Sequence, residues 1–202
     1  MLSPINNTIH GVMEYSWPMI FISVVIAVSL RITYLAKNKI HVIWYKELLM
    51  LLFCVYILCL FQIVTAQDFN SFSNNNFTPF REITRYSLGS RLFLKNVLGN
   101  ILLFIPYGLF VGIYVKMDKY VPAFMLILLA SLAIEATQLV IGRVFDVDDI
   151  ILNVIGGTIG YYIYRLLDRI GDILPKVFKS TVFLNILVTL LFAGLVIYVF
   201  MI

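Results

Sequence analysis

Charge is scarce in this sequence. Asp, Glu, Lys and Arg make up 13% of its 202 residues, against about 25% in a typical soluble domain, which excludes an ordinary water-soluble globule. The net charge is only +4, and no basic stripe is interleaved with aromatics, so no nucleic-acid partner is expected. Cysteine and histidine are as sparse, with two of each. Cys54 and Cys59 lie in one apolar run where a helix points them roughly 140° apart, so they read as unpaired, buried apolar side chains. His10 and His41 have no ligand-spaced neighbour, and no zinc site is expected. A basic leader is also missing: Glu14 is the one charged side chain before the first apolar run. That run is long enough to span a bilayer and is expected to remain as a mature helix.

What is present is apolar. The chain is 61% hydrophobic with a mean hydropathy of +0.96, and spans of about 20 residues use up most of it. The expected fold is all-α, a polytopic membrane bundle of about six transmembrane helices forming a single domain over 1–202. The expected spans are about Trp17 to Ala36, Leu48 to Val64, Asn96 to Val115, Val121 to Ile141, Ile150 to Leu166 and Thr181 to Ile202. The Asn/Ser-rich Asp68 to Asn76 is loop composition. Phe80 to Phe93 suggests a short element along the membrane surface, and Arg165 to Lys179, broken by Pro175, a short surface helix or turn.

Alternate loops carry Lys and Arg unequally. Arg31, Lys37, Lys39, Lys46, Lys116, Lys119, Arg165, Arg169, Lys176 and Lys179 fall on one side; Arg81, Arg85, Arg91, Lys95 and Arg143 fall on the other. The positive-inside rule then places both termini outside.

One polar string interrupts the oily background, from Glu135 to Asn153. A carboxylate near the bilayer midplane costs roughly 2.5 to 3.5 kcal/mol, so such a residue is a functional candidate. Alternating topology brings three helix ends to the same depth. Asn96 and Asn100 start the third span, Glu135 and Gln138 end the fourth, and Asp149 and Asn153 start the fifth, each pair spaced to share a helix face. Arg143 and Asp146 lie in the short link, which makes the fourth and fifth helices antiparallel neighbours. These eight residues form a candidate polar pocket opening outward. The plainer alternative is interhelical hydrogen bonding, of order 0.6 kcal/mol each, with Asp148 or Asp149 as helix N-cap and the neighbouring aspartates in a solvated loop. Close helix packing is expected from Gly156, Gly157 and Gly160, and a kink from Pro106 and Gly108.

At these residues the sequence resembles the VanZ-like family, named for the teicoplanin-resistance protein of glycopeptide-resistant bacteria. The matching pieces are Thr78-Pro79-Phe80, Asn96 to Gly108 with Gly99, Asn100, Phe104 and Pro106, then Glu135-x-x-Gln138, Arg143 and Asp146-x-x-Asp149-x-x-x-Asn153-x-x-Gly156-Gly157-x-x-Gly160. The resemblance runs from about residue 76 to 164. Some members lack an equivalent of Arg143, which ranks it below Glu135 and Asp149.

The resemblance implies a bacterial plasma-membrane protein that lowers susceptibility to teicoplanin and related lipoglycopeptides, without implying a reaction. An outward-opening polar pocket suits contact with membrane lipids, a lipoglycopeptide antibiotic or a lipid-linked envelope precursor, and no cofactor is expected. Two alternatives stay open. In a membrane-embedded enzyme, Glu135, Asp146 and Asp149 would hold a divalent cation such as Mg²⁺ through oxygen ligands. In a small transporter, Glu135 would relay protons or substrate. The non-enzymatic reading is preferred, and the oligomeric state is open.

Overall fold

The computed structural model describes residues 3–65, 75–87, 89–115, 119–173, 175–177 and 179–201. Most of the Asn/Ser-rich loop (68–74), together with Lys116, Leu174 and Phe178, lies outside the described residues. The elements are α1 (Ser3–Lys37), α2 (Trp44–Thr65), α3 (Arg81–Arg85), α4 (Arg91–Phe93), a π-helical turn (Leu94–Leu98), α5 (Gly99–Val115), α6 (Tyr120–Val140), α7 (Val147–Ile173) and α8 (Thr181–Met201). Among the described residues, five helices are long and apolar enough to cross a membrane: Trp17–Lys37, Trp44–Thr65, Arg91–Val115, Tyr120–Val140 and Val147–Gly171. Thr181–Gly194, the opening of α8, is a shorter apolar helix. The protein is an all-α membrane helical bundle.

The chain divides into two compact units, residues 1–66 with 173–202, and residues 67–172. In the first, α1 ends where the Ile40 amide donates to Leu35 O at 3.1 Å and Lys39 takes the left-handed conformation, φ 51. The chain returns into α2, and Arg31 ties the two helices by donating from Nε and Nη2 to the two Glu47 carboxylate oxygens, at 2.8 and 3.0 Å. The Tyr45 amide in the first turn of α2 has no acceptor within its own helix. Asn185 of α8 supplies one through Oδ1 at 2.9 Å.

The second unit is packed through glycine. A methyl group added at Gly156 or Gly160 would overlap the carbonyl oxygens of Ile101 and Ile105, and one at Gly108 would overlap the Gly157 backbone. The contacts advance together along both chains, 101 with 156 and 105 with 160, so α5 and α7 run parallel with backbones touching, as small residues permit in lipid. Gly157 instead accommodates the Ile127 side chain of α6. Asn153 with Ser131 and Thr158 with Tyr120 run in opposite order, which makes α6 antiparallel to α7. α5 continues unbroken through Pro106.

Two boundaries differ from expectation. The fifth span does not stop near Leu166 to leave a separate surface element over Arg165 to Lys179; α7 runs on to Ile173. Charge does not end a helix; α7 ends two residues before Pro175, which cannot continue one. The third span begins at Arg91 instead of Asn96, because Ser90 caps it by accepting the Phe93 amide at 3.1 Å. Of the expected surface element at Phe80 to Phe93, only α3 is a separate short helix, because α4 opens the third span.

Candidate functional site

The polar string becomes the turn from α6 to α7. Gly142, at φ 83, occupies the left-handed position, and the Arg143 amide donates back to Gln138 O at 2.9 Å. This glycine-terminated arrangement satisfies carbonyls that a helix end leaves open. Three residues after Arg143 comes Asp146, the N-cap of α7, whose Oδ1 accepts the Asp148 amide at 2.8 Å. The N-cap expected at Asp148 or Asp149 therefore lies at Asp146, freeing the other two carboxylates for long-range partners.

Glu135, one turn and a half before the end of α6, is 1% exposed. Its Oε2 accepts the Asp146 amide at 3.1 Å. The Gln138 amide, oriented to satisfy both neighbours, donates to Glu135 Oε1 at 2.8 Å and accepts from Arg143 Nη1 at 2.7 Å. Gln138 thereby relays between a buried carboxylate and a half-buried guanidinium. Burial pulls the Arg143 guanidinium below its ordinary range, while the Glu135 and Asp149 carboxylates pull it back up. A guanidinium keeps its proton in either case, so one fixed positive charge stands among the acids.

The third helix joins through Asn100, whose Nδ2 donates to Asp149 Oδ1, linking α5 to α7. Asn153 turns to α6 and donates to Ser131 Oγ at 3.1 Å, both buried. Asn96 goes elsewhere: within the π-helical turn, it donates to Tyr86 Oη at 3.0 Å. The structure thus gathers Asn100, Glu135, Gln138, Arg143, Asp146, Asp149 and Asn153 at one end of three helices, with Asn96 bonded to the preceding segment.

Four participants escaped the sequence reading. Asn76 is 4% exposed and pairs in parallel with the link: its amide donates to Phe145 O at 2.8 Å, its carbonyl accepts from Val147 at 3.1 Å, and its side chain donates to Asp146 Oδ1 at 2.9 Å. Asp148, far from lying in a solvated loop, is 1% exposed. Its carboxylate accepts the amides of Phe80 and Ile83, the latter at 3.3 Å, and so caps α3 from 65 or more residues away. Ser131 and Tyr86 complete the set. An Asp within the first turn of a helix was the available indication for Asp148, since such a position favours negative charge; nothing local marks Asn76.

Asn100, Arg143, Asp146 and Asp149 keep part of their surface accessible, whereas Glu135, Gln138, Asp148 and Asn153 are buried. Carboxylates outnumber the single guanidinium, so the accessible part offers acceptors suited to hydroxyls, amides or amines. Among the described residues no three His, Cys, Asp or Glu side chains form a metal-holding group. Every buried side-chain nitrogen and oxygen among them has a hydrogen-bond partner.

The VanZ/LLP1 family model matches residues 47–168. Protein VanZ of Enterococcus faecium is 30% identical over 96 residues, which is 46% of this chain and 54% of that protein; the chain thus spans about half the length of this curated relative. No solved structure gives a significant match. The matched region contains all the residues gathered at the α5, α6 and α7 ends, and the chain belongs to the VanZ/LLP1 family.

Proposed function

We propose that this protein lowers bacterial susceptibility to teicoplanin and related lipoglycopeptides by engaging an outer-leaflet component at the Glu135–Asp149 cluster. The component is the drug itself or a lipid-linked envelope precursor beside it. The observation that supports this reading is the convergence of Asn100, Arg143, Asp146 and Asp149, partly accessible, on a framework fixed by buried Glu135, Gln138 and Asn153. Interhelical adhesion alone is served by amides, and carboxylates in lipid are costly enough to point to a use. The cluster opens outward in the bacterial plasma membrane, with both termini outside, in the orientation favoured by the Lys and Arg distribution.

Susceptibility of a deletion strain to teicoplanin and vancomycin, side by side, tests the proposal. Complementation with the wild-type chain restores teicoplanin tolerance, whereas Glu135→Ala and Asn153→Ala, present in the membrane at wild-type levels, do not. Retained tolerance in those variants overturns it. Cysteine introduced as Val144→Cys is labelled by an impermeant thiol reagent from outside intact cells; labelling only after lysis reverses the orientation.

A further inference from the structure

The unit formed by α1, α2 and α8 contains a cavity of about 570 Å³ between α1 and α2, in the size range of small-molecule sites. Ala27, Leu35 and Cys54 are among its apolar lining, and Arg31, Lys39, Trp44 and Glu47 lie at its polar end. Its depth can be read from the helices. Ala27 lies ten residues from Lys37 at the end of α1, and Cys54 ten residues from Trp44 at the start of α2. At 1.5 Å per residue both are about 15 Å from the helix ends, half of a hydrocarbon core about 30 Å thick. The cleft therefore runs from the interface to the midplane, the reach of one leaflet. Protein interiors are close-packed, and the apolar filler available at that depth is an acyl chain.

The mouth specifies the head group. Glu47 is neutralised by its bidentate bond with Arg31, which leaves Lys39 on the lining, and Lys37 and Lys46 beside it in sequence, as a positive surplus. Trp44, 64% exposed, stands where an aromatic side chain meets the head-group layer. Lys39 also occupies the left-handed helix-ending position that Gly142 fills at the end of α6. Glycine fits that backbone without strain, and lysine there costs stability.

We propose that the α1–α2 cavity holds one anionic phospholipid, its acyl chain in the apolar cleft and its phosphate at Lys39 beside the Arg31–Glu47 pair. In the orientation read from the Lys and Arg distribution, the lipid belongs to the inner leaflet.

Native mass spectrometry of the full-length protein, purified in detergent and offered phosphatidylglycerol and phosphatidylcholine in equal amounts, tests this. The wild-type chain retains phosphatidylglycerol with a preference of roughly fivefold, the factor one basic side chain contributes near an anionic surface. Lys39→Gly removes the charge while suiting the backbone, so it melts at the same or a higher temperature in lipid-free detergent yet loses the preference. Val28→Trp fills the cleft and loses both lipids. Equal retention of the two lipids by the wild type, or a preference that survives Lys39→Gly, overturns the proposal. So does a disulfide-linked dimer formed through Ala36→Cys, which would make the face a contact between two copies.

Discussion

The two compact units use opposite means to hold helices together in lipid. In residues 67–172 the helices touch backbone to backbone, and about a third of the most apolar windows of α5 and α7 is buried, 33% in each. In α1 the corresponding share is 6% and in α2 11%, and the side-chain links include point contacts such as the Arg31–Glu47 pair, Gln62 Nε2 donating to Met19 Sδ at 3.3 Å, and the Asn185 cap on α2. Even the helix ends differ, since α6 closes on glycine and α1 on lysine in the same conformation. The lesson is that apolarity alone does not pack a membrane helix, because lipid competes equally well for an apolar surface. Small residues and paired polar groups make the difference, and they are concentrated where the family match lies.

The largest expected effect breaks that comparison directly. Gly160→Leu drives a side chain into the Ile105 carbonyl and costs more than about 3 kcal/mol, whereas Gly194→Leu, with nothing within 4 Å of its Cβ, changes stability by less than about 1 kcal/mol. Thermal melting of the two variants in detergent checks the contrast, and equal losses would erase it. Next, Asp148→Ala leaves the Phe80 and Ile83 amides without their acceptor and costs about 3 kcal/mol. The same change exposes Arg81 and Arg85 to faster trypsin cleavage. A smaller loss, about 0.6 kcal/mol, follows Asn153→Ala as the bond to Ser131 goes. The smallest belongs to the looser unit, where a double-mutant cycle on Arg31 and Glu47 gives a coupling of about 0.5 kcal/mol, since both side chains keep solvent access at 37% and 20%.

These differences also explain which parts of the molecule were legible in its sequence. Helix class and the order of the long helices follow from apolar runs, because in lipid every backbone amide must bond within its own segment; of the six expected spans five are long and apolar enough to cross a membrane, with Thr181–Gly194 shorter among the described residues. The facing of Asn100 and Asp149 follows from helix depth, and the close approach of α5 to α7 from the spacing of Gly156 and Gly160. What escaped was every contact made by the segment before α3. Asn76 meets Asp146 across 70 residues, and Asp148 meets Phe80 across 68. Such pairings carry no periodicity, and a buried aspartate holding distant amides looks in sequence like an aspartate in a loop. Local capping preferences could not choose among Asp146, Asp148 and Asp149, because the choice rests on which carboxylates are claimed by Asn76 and Phe80. The length of α7 is hidden for a simpler reason: Asp168 and Arg169 read in sequence as the end of a span, yet charge does not end a helix and α7 runs on to Ile173.

The parallel pairing of Asn76 with the α6–α7 link also sets an order of events during synthesis. Asn76 leaves the ribosome 70 residues before Asp146, an interval of roughly 4 to 14 s at usual elongation rates. Throughout it the emerging segment has neither the Phe145 carbonyl nor the Asp148 carboxylate to bind. The clasp closes only after α5, α6 and the start of α7 have been made, so it works as a completion mark. A chain stalled or mis-inserted before α7 leaves residues 75–83 without these partners and open to proteolysis that the finished bundle would resist.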